Sequence, residues 1–136
     1  MPCSTIKAYR NCFYTCIKNA IFNIFILPSF YIISVPPKVI LTPKNQTVNP
    51  GVTITLRCSA NGDPIPRVYW LKNNRNWTSS NDVAIEGLFG SSTMSILKAT
   101  IAHNGHYQCV FKNFGGTVVT TAAVVNIWGE FFECHI

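Results

Sequence analysis

Between Ser34 and Ile127 the chain offers three carboxylates, Asp63, Asp82 and Glu86, and two imidazoles, His103 and His106, for acid–base work. No Ser/His/Asp grouping stands at the head of a strand–turn–helix, where a nucleophile would need to sit. Gly115-Gly116, the one glycine pair, opens a strand rather than a helix, so no phosphate cradle forms there. His103 and His106 straddle a turn entering a strand, where two rings need not converge, and no third ligand accompanies them. Catalysis, a metal centre and a cofactor are therefore not expected. Two other chemistries are open. Six cysteines (Cys3, Cys12, Cys16, Cys58, Cys109 and Cys134) suit an oxidising compartment, although their types and spacing leave the pairing undecided. Asn45-Gln46-Thr47 and Asn76-Trp77-Thr78 are acceptor sequences for N-linked glycans, expected in loops or at strand ends.

What must position these residues is a β-rich chain. Of 136 residues, 48% are apolar and only 12% charged, enough for one domain with a buried core and some flanking sequence. Val52 to Ala60 alternates strictly, with Val52, Ile54, Leu56 and Cys58 on one side and Thr53, Thr55, Arg57 and Ser59 on the other. Shorter β-prone runs follow at Lys38–Leu41, Gln46–Val48, Val68–Lys72, Asp82–Ile85, Thr93–Ala99, His106–Lys112 and Thr117–Ile127. Pro36-Pro37, Asn61 to Pro66, Asn73 to Asn76 and Asn113 to Gly116 read as breaks or loops. In the last run Val118, Val119, Val124 and Val125 make both parities apolar, so its buried side stays open.

The formal charge is +6, and eight Lys/Arg against three acids leave about +5 between Ser34 and Ile127. The basic residues do not run together, so a solvated surface is the default reading and no nucleic-acid partner is expected; heparan sulfate-like glycans are the acidic alternative. Residues 1–34 join a basic start to a 16-residue apolar block from Ala20 to Val35, too short for a spanning helix. They read as a secretory signal peptide, with a signal anchor or a mistaken start as alternatives. Residues 128–136 read as a C-terminal stub.

Leu56-x-Cys58, Gly62-x-Pro64-x-Pro66, Trp70-Leu71-Lys72-Asn73 and Asn104-Gly105-x-Tyr107-x-Cys109, followed by Asn113-x-x-Gly116, resemble an I-set domain of the immunoglobulin superfamily. The likeness covers Pro36 to Ile127, and the domain is set at residues 35–127. It implies an all-β, Greek-key sandwich preceded by a short apolar segment. It also implies a Cys58–Cys109 bridge between the sheets, with Trp70, Tyr107 and Leu56 in the core. One departure stands out. Where the family commonly places an aspartate to brace the corner before Tyr107, this chain has His103, so the usual salt bridge is in doubt and the corner must lean on the tyrosine.

Such domains occur in cell-adhesion molecules, receptor ectodomains, matrix proteins and intracellular muscle proteins of the titin kind. The expected role is non-catalytic recognition of a cell-surface protein, homophilic or heterophilic, outside the cell, with any membrane attachment through a parent protein or the N-terminal segment. A matrix module binding acidic glycans and a titin-like structural domain are the alternatives. Arg67, Tyr69 and Leu71, alternating with the inward set Val68, Trp70 and Lys72, are the candidate interface. Phe114, at a loop tip, is its candidate apolar anchor.

Overall fold

The structure, a computed structural model, describes residues 33–129. The leader reading therefore lies outside the described residues apart from Ile33 and Ser34, as do Cys3, Cys12, Cys16, Cys134 and most of the C-terminal stub. Ten strands follow one another: β1 (Val35–Leu41), β2 (Gln46–Val48), β3 (Ile54–Asp63), β4 (Arg67–Lys72), β5 (Arg75–Trp77), β6 (Val83–Glu86), β7 (Ser91–Ile96), β8 (Gly105–Asn113), β9 (Gly116–Val119) and β10 (Ala123–Ile127). One sheet has the order β1-β3-β7-β6. The other runs β2-β10-β8-β4-β5, with β9 also on β8. The inner faces of the two sheets close over one core, as the sandwich reading requires.

The alternation in β3 sets the buried side of the first sheet, since Ile54, Leu56, Cys58 and Ala60 are all buried. Val52, expected to join them, is exposed because the strand starts two residues later. Across the core, Val68 and Trp70 of β4 and Tyr107, Cys109 and Phe111 of β8 face the same layer. Pro43 is buried where the chain crosses from β1, in the first sheet, to β2, which pairs parallel with β10 in the second.

Four expected boundaries move. Pro36 and Pro37 do not break the chain. They sit inside β1, an edge strand whose register shifts between Val35 and Lys38, so the missing N–H groups interrupt no central ladder. β3 runs on through Asn61 and Gly62 to Asp63, paired with Lys38 and Val35. The turn after β4 is only Asn73-Asn74, both at positive φ (49° and 65°), a conformation asparagine tolerates, and Arg75–Trp77 return as a strand. The final run splits into β9 and β10 around Thr120–Ala122. That break shifts the parity. Val118 and Thr120 face inward before it, and Ala123, Val125 and Ile127 after it.

Candidate binding face

Two inter-sheet ties fix β4 and β8 against the opposite layer. The Cys58 and Cys109 sulfurs are bonded, with Cα atoms 6.5 Å apart. Trp70 lies directly opposite Cys109 in the β4–β8 ladder. Its indole Nε1–H donates to Ser92 Oγ at 2.9 Å, and Ser92 is the cross-strand neighbour of Cys58. The indole thus crosses the core alongside the bridge. Ser92 passes the link on by donating to the Glu86 carbonyl at 2.9 Å.

The corner entering β8 is braced twice. Tyr107, fully buried, donates its hydroxyl to the His103 carbonyl at 2.7 Å. His103 itself is buried, and its Nδ1 accepts from the Thr100 backbone N–H at 3.1 Å. An accepting Nδ1 places the ring proton on Nε2, which points at Asp82 Oδ2 3.3 Å away. The departure at position 103 therefore does not leave the corner to the tyrosine alone: an imidazole–carboxylate contact ties it to the segment before β6. Lys72, expected among the inward residues, lies over the Trp77 ring (4.6 Å) and the Tyr107 ring (5.7 Å), and its ammonium donates to the Ala102 carbonyl at 2.6 Å. Desolvation there pulls its pKa below the ordinary lysine range.

Burial pushes the Tyr107 phenol up from 10.0 to about 12. Unfolded chains lose that proton near pH 10 and folded ones near pH 12, so the folded state binds more protons in that window. The stability that the buried phenol contributes is whole below pH 10 and is lost as pH rises toward 12, by roughly 2–3 kcal/mol. Tyr107→Phe should cost about 1 kcal/mol at neutral pH by removing the hydrogen bond. It should also flatten the fall between pH 10 and 12, checked by urea unfolding at several alkaline pH values.

With β4 so held, Arg67, Tyr69 and Leu71 stand on the outer side of the sheet. The ladder sets Arg67 opposite Lys112, Tyr69 opposite Val110 and Leu71 opposite Gln108. Lys112 and Val110 in turn face Thr117 and Val119 of β9. The result is an apolar row, Tyr69–Val110–Val119, whose ends are open (Tyr69 42% and Val119 46% exposed) while Val110 between them is buried, beside a cationic pair, Arg67–Lys112. Among the described residues neither cation meets a carboxylate. Sequence reasoning missed Lys112, Val110 and Val119 because they belong to the face only through the register of β8 with its neighbours.

Phe114 is 83% exposed at the tip of the β8–β9 hairpin, just beyond Lys112. Asn113 keeps the tip in place: its Nδ2 donates to the Val35 and Pro64 carbonyls (2.7 and 2.9 Å) and its Oδ1 accepts from Gly115 N–H (2.8 Å). Asn76 is exposed on edge strand β5 opposite Leu71, so a glycan there would border the face. Asn45 is also exposed; its Oδ1 accepts from Val124 N–H at 2.8 Å, which leaves the amide nitrogen for a glycan.

A four- and six-stranded sandwich, bridged at Cys58–Cys109 and wedged by Trp70, defines the immunoglobulin domain. The family model described as immunoglobulin domain matches residues 36–113, and this chain belongs to that family. It is 33% identical over 110 residues to neural cell adhesion molecule L1 of Takifugu rubripes, covering 74% of this chain and 9% of that protein. It is 30% identical over 94 residues to the human peroxidasin homolog, covering 69% of this chain and 6% of that one. The muscle M-line assembly protein unc-89 of Caenorhabditis elegans is 29% identical over 94 residues, 69% of this chain and 1% of that protein. The chain thus spans less than a tenth of the length of these curated relatives. Among solved structures, titin domain M7 superposes with a TM-score of 0.65 at 24% identity, over 71% of this chain and 98% of that one. The tandem Ig repeats of Dlar give 0.61 at 26% identity, over 68% and 48%.

Proposed function

We propose that this chain is a non-catalytic recognition domain of a cell-adhesion or receptor-type protein, carried through the secretory pathway and working outside the cell. It binds a protein partner through the outer side of β4 and β8, with Arg67, Tyr69, Leu71 and the Phe114 tip as contacts. The observation that carries this is the Arg67–Lys112 couple, unpaired among the described residues, beside the exposed Tyr69 and Val119. Like charges held directly opposite are unfavourable unless an anion answers them. A partner that presents carboxylates around an apolar centre would answer them. Exposed Asn45 and Asn76, the bridge, and the similarity to an adhesion molecule support the extracellular setting.

Similarity to the M-line assembly protein and the titin fold favour a second reading, a structural domain inside the cell. That reading requires free thiols at Cys58 and Cys109 and no glycan.

Fluorescent tetramers of the domain on intact cells test the first reading. Binding should disappear after trypsin treatment of the cells and survive heparinase. Arg67→Glu with Tyr69→Ala should weaken it by at least about tenfold, the scale of one hot-spot pair. Binding that the double substitution leaves unchanged would contradict the assignment of this face.

A further inference from the structure

Where the chain crosses from β1 to β2 it leaves a groove of about 210 Å³, lined by Leu41, Thr42, Lys44, Gln46, Thr55 and Arg57. Buried Pro43 anchors the crossing. Gln46 Nε2 donates to the Thr55 carbonyl at 2.7 Å and holds β2's side chain against β3. The groove is therefore built into the fold and is separate from the β4–β8 face. Lys44, in the crossing, and Arg57, on β3, both line it. Asp63, Asp82 and Glu86 take no part in its walls, and the described residues place no carboxylate against either cation.

We propose that this groove binds the sulfate esters of a linear acidic polysaccharide. The Arg57 guanidinium offers a planar fork of N–H donors to one oxyanion, and the Lys44 ammonium supplies a point charge for a second. Thr42 and Thr55 in the lining add hydroxyls that can bond those of a sugar ring. Leu41 is the only large apolar group in the lining, so the groove lacks the enclosed apolar socket that a peptide anchor uses. A sulfated chain is met outside the cytosol, so the site rests on the extracellular part of the reading above and on none of its contact residues.

Asn45 lies beside Lys44, and a glycan there would crowd the groove. The test therefore uses Thr47→Ala throughout, which removes the sequon and keeps the Asn45 contact to Val124. Secreted protein is titrated against a heparin oligosaccharide. Lys44→Gln with Arg57→Gln should weaken binding about tenfold or more, whereas Arg75→Gln with Lys98→Gln, the same loss of charge elsewhere, should change it by less than about twofold. Desulfated heparin and polyglutamate should fail to compete, and the thermal midpoints of both doubles should match wild type. Equal losses in the two doubles, or no binding by the unaltered groove, would mean that the groove makes no specific contact with the sulfates. Competition by polyglutamate as strong as by heparin would assign the groove to an acidic protein surface. Either result overturns the proposal, while binding of the Arg67→Glu, Tyr69→Ala protein to heparin should be retained even if the protein-recognition reading fails.

Discussion

Replacing Cys58 and Cys109 together by alanine lowers the unfolding free energy by about 4 kcal/mol in the chain-entropy account of disulfides. The bridge joins residues 51 apart in sequence, and cutting it frees that loop in the denatured chain. The effect should sit mostly on the unfolded side, so the circular dichroism of the folded variant stays that of a β-sandwich. The urea m-value should rise, because a chain without the bridge exposes more surface on unfolding. A domain of this size has roughly 5–15 kcal/mol to lose, so the variant is close to unfolding at body temperature. A loss below about 1 kcal/mol would mean that the packing of the two layers suffices without the bridge.

Trp70→Ala is the second large loss, about 4 kcal/mol and up to 5. The indole is 1% exposed, and removing it opens a void between the sheets where few side chains can follow. It also strips Ser92 Oγ of its donor, deep in the core. Trp70→Phe separates the two parts. It should restore most of the volume yet remain about 1 kcal/mol below wild type, because Ser92 Oγ loses the indole donor and keeps only its own bond to the Glu86 carbonyl. Since the indole runs alongside the bridge, the cysteine and tryptophan changes share neighbours and should not add. Urea unfolding of the three variants and their combination measures this coupling directly.

The covalent and aromatic frame is legible through the resemblance to the immunoglobulin family, which assigns each member a narrow role. The Leu56 to Cys58 alternation, Trp70 in its apolar run and the Tyr107-x-Cys109 pair each name a buried position, and each is buried. Two kinds of feature escaped. Where a strand is broken, the parity of side chains before and after the break is no longer shared, so four valines between Val118 and Val125 could not be sorted. Where a proline lies in an edge strand, the general rule that proline ends a strand fails, because a shifted register absorbs it, as at Pro36-Pro37. The corner shows a subtler limit. His103 removes a carboxylate from its usual place, but Asp82 supplies one from a segment twenty-one residues earlier, and only the folded chain brings the two within 3.3 Å. The candidate face was half legible in the same sense. Arg67, Tyr69 and Leu71 follow from alternation within one strand, whereas Lys112 and Val119 follow from register between strands.

The extracellular setting is tested most directly by the state of Cys58 and Cys109 in the protein made by its own cells. Alkylating the thiols before any reduction, then digesting and weighing the peptides, reads that state together with the state of Asn45 and Asn76. The expected result is one linked peptide pair containing Cys58 and Cys109, and a glycan on at least one of the two asparagines. Folded protein carrying alkyl groups on both cysteines and no glycan would contradict the extracellular account and favour the structural domain inside the cell.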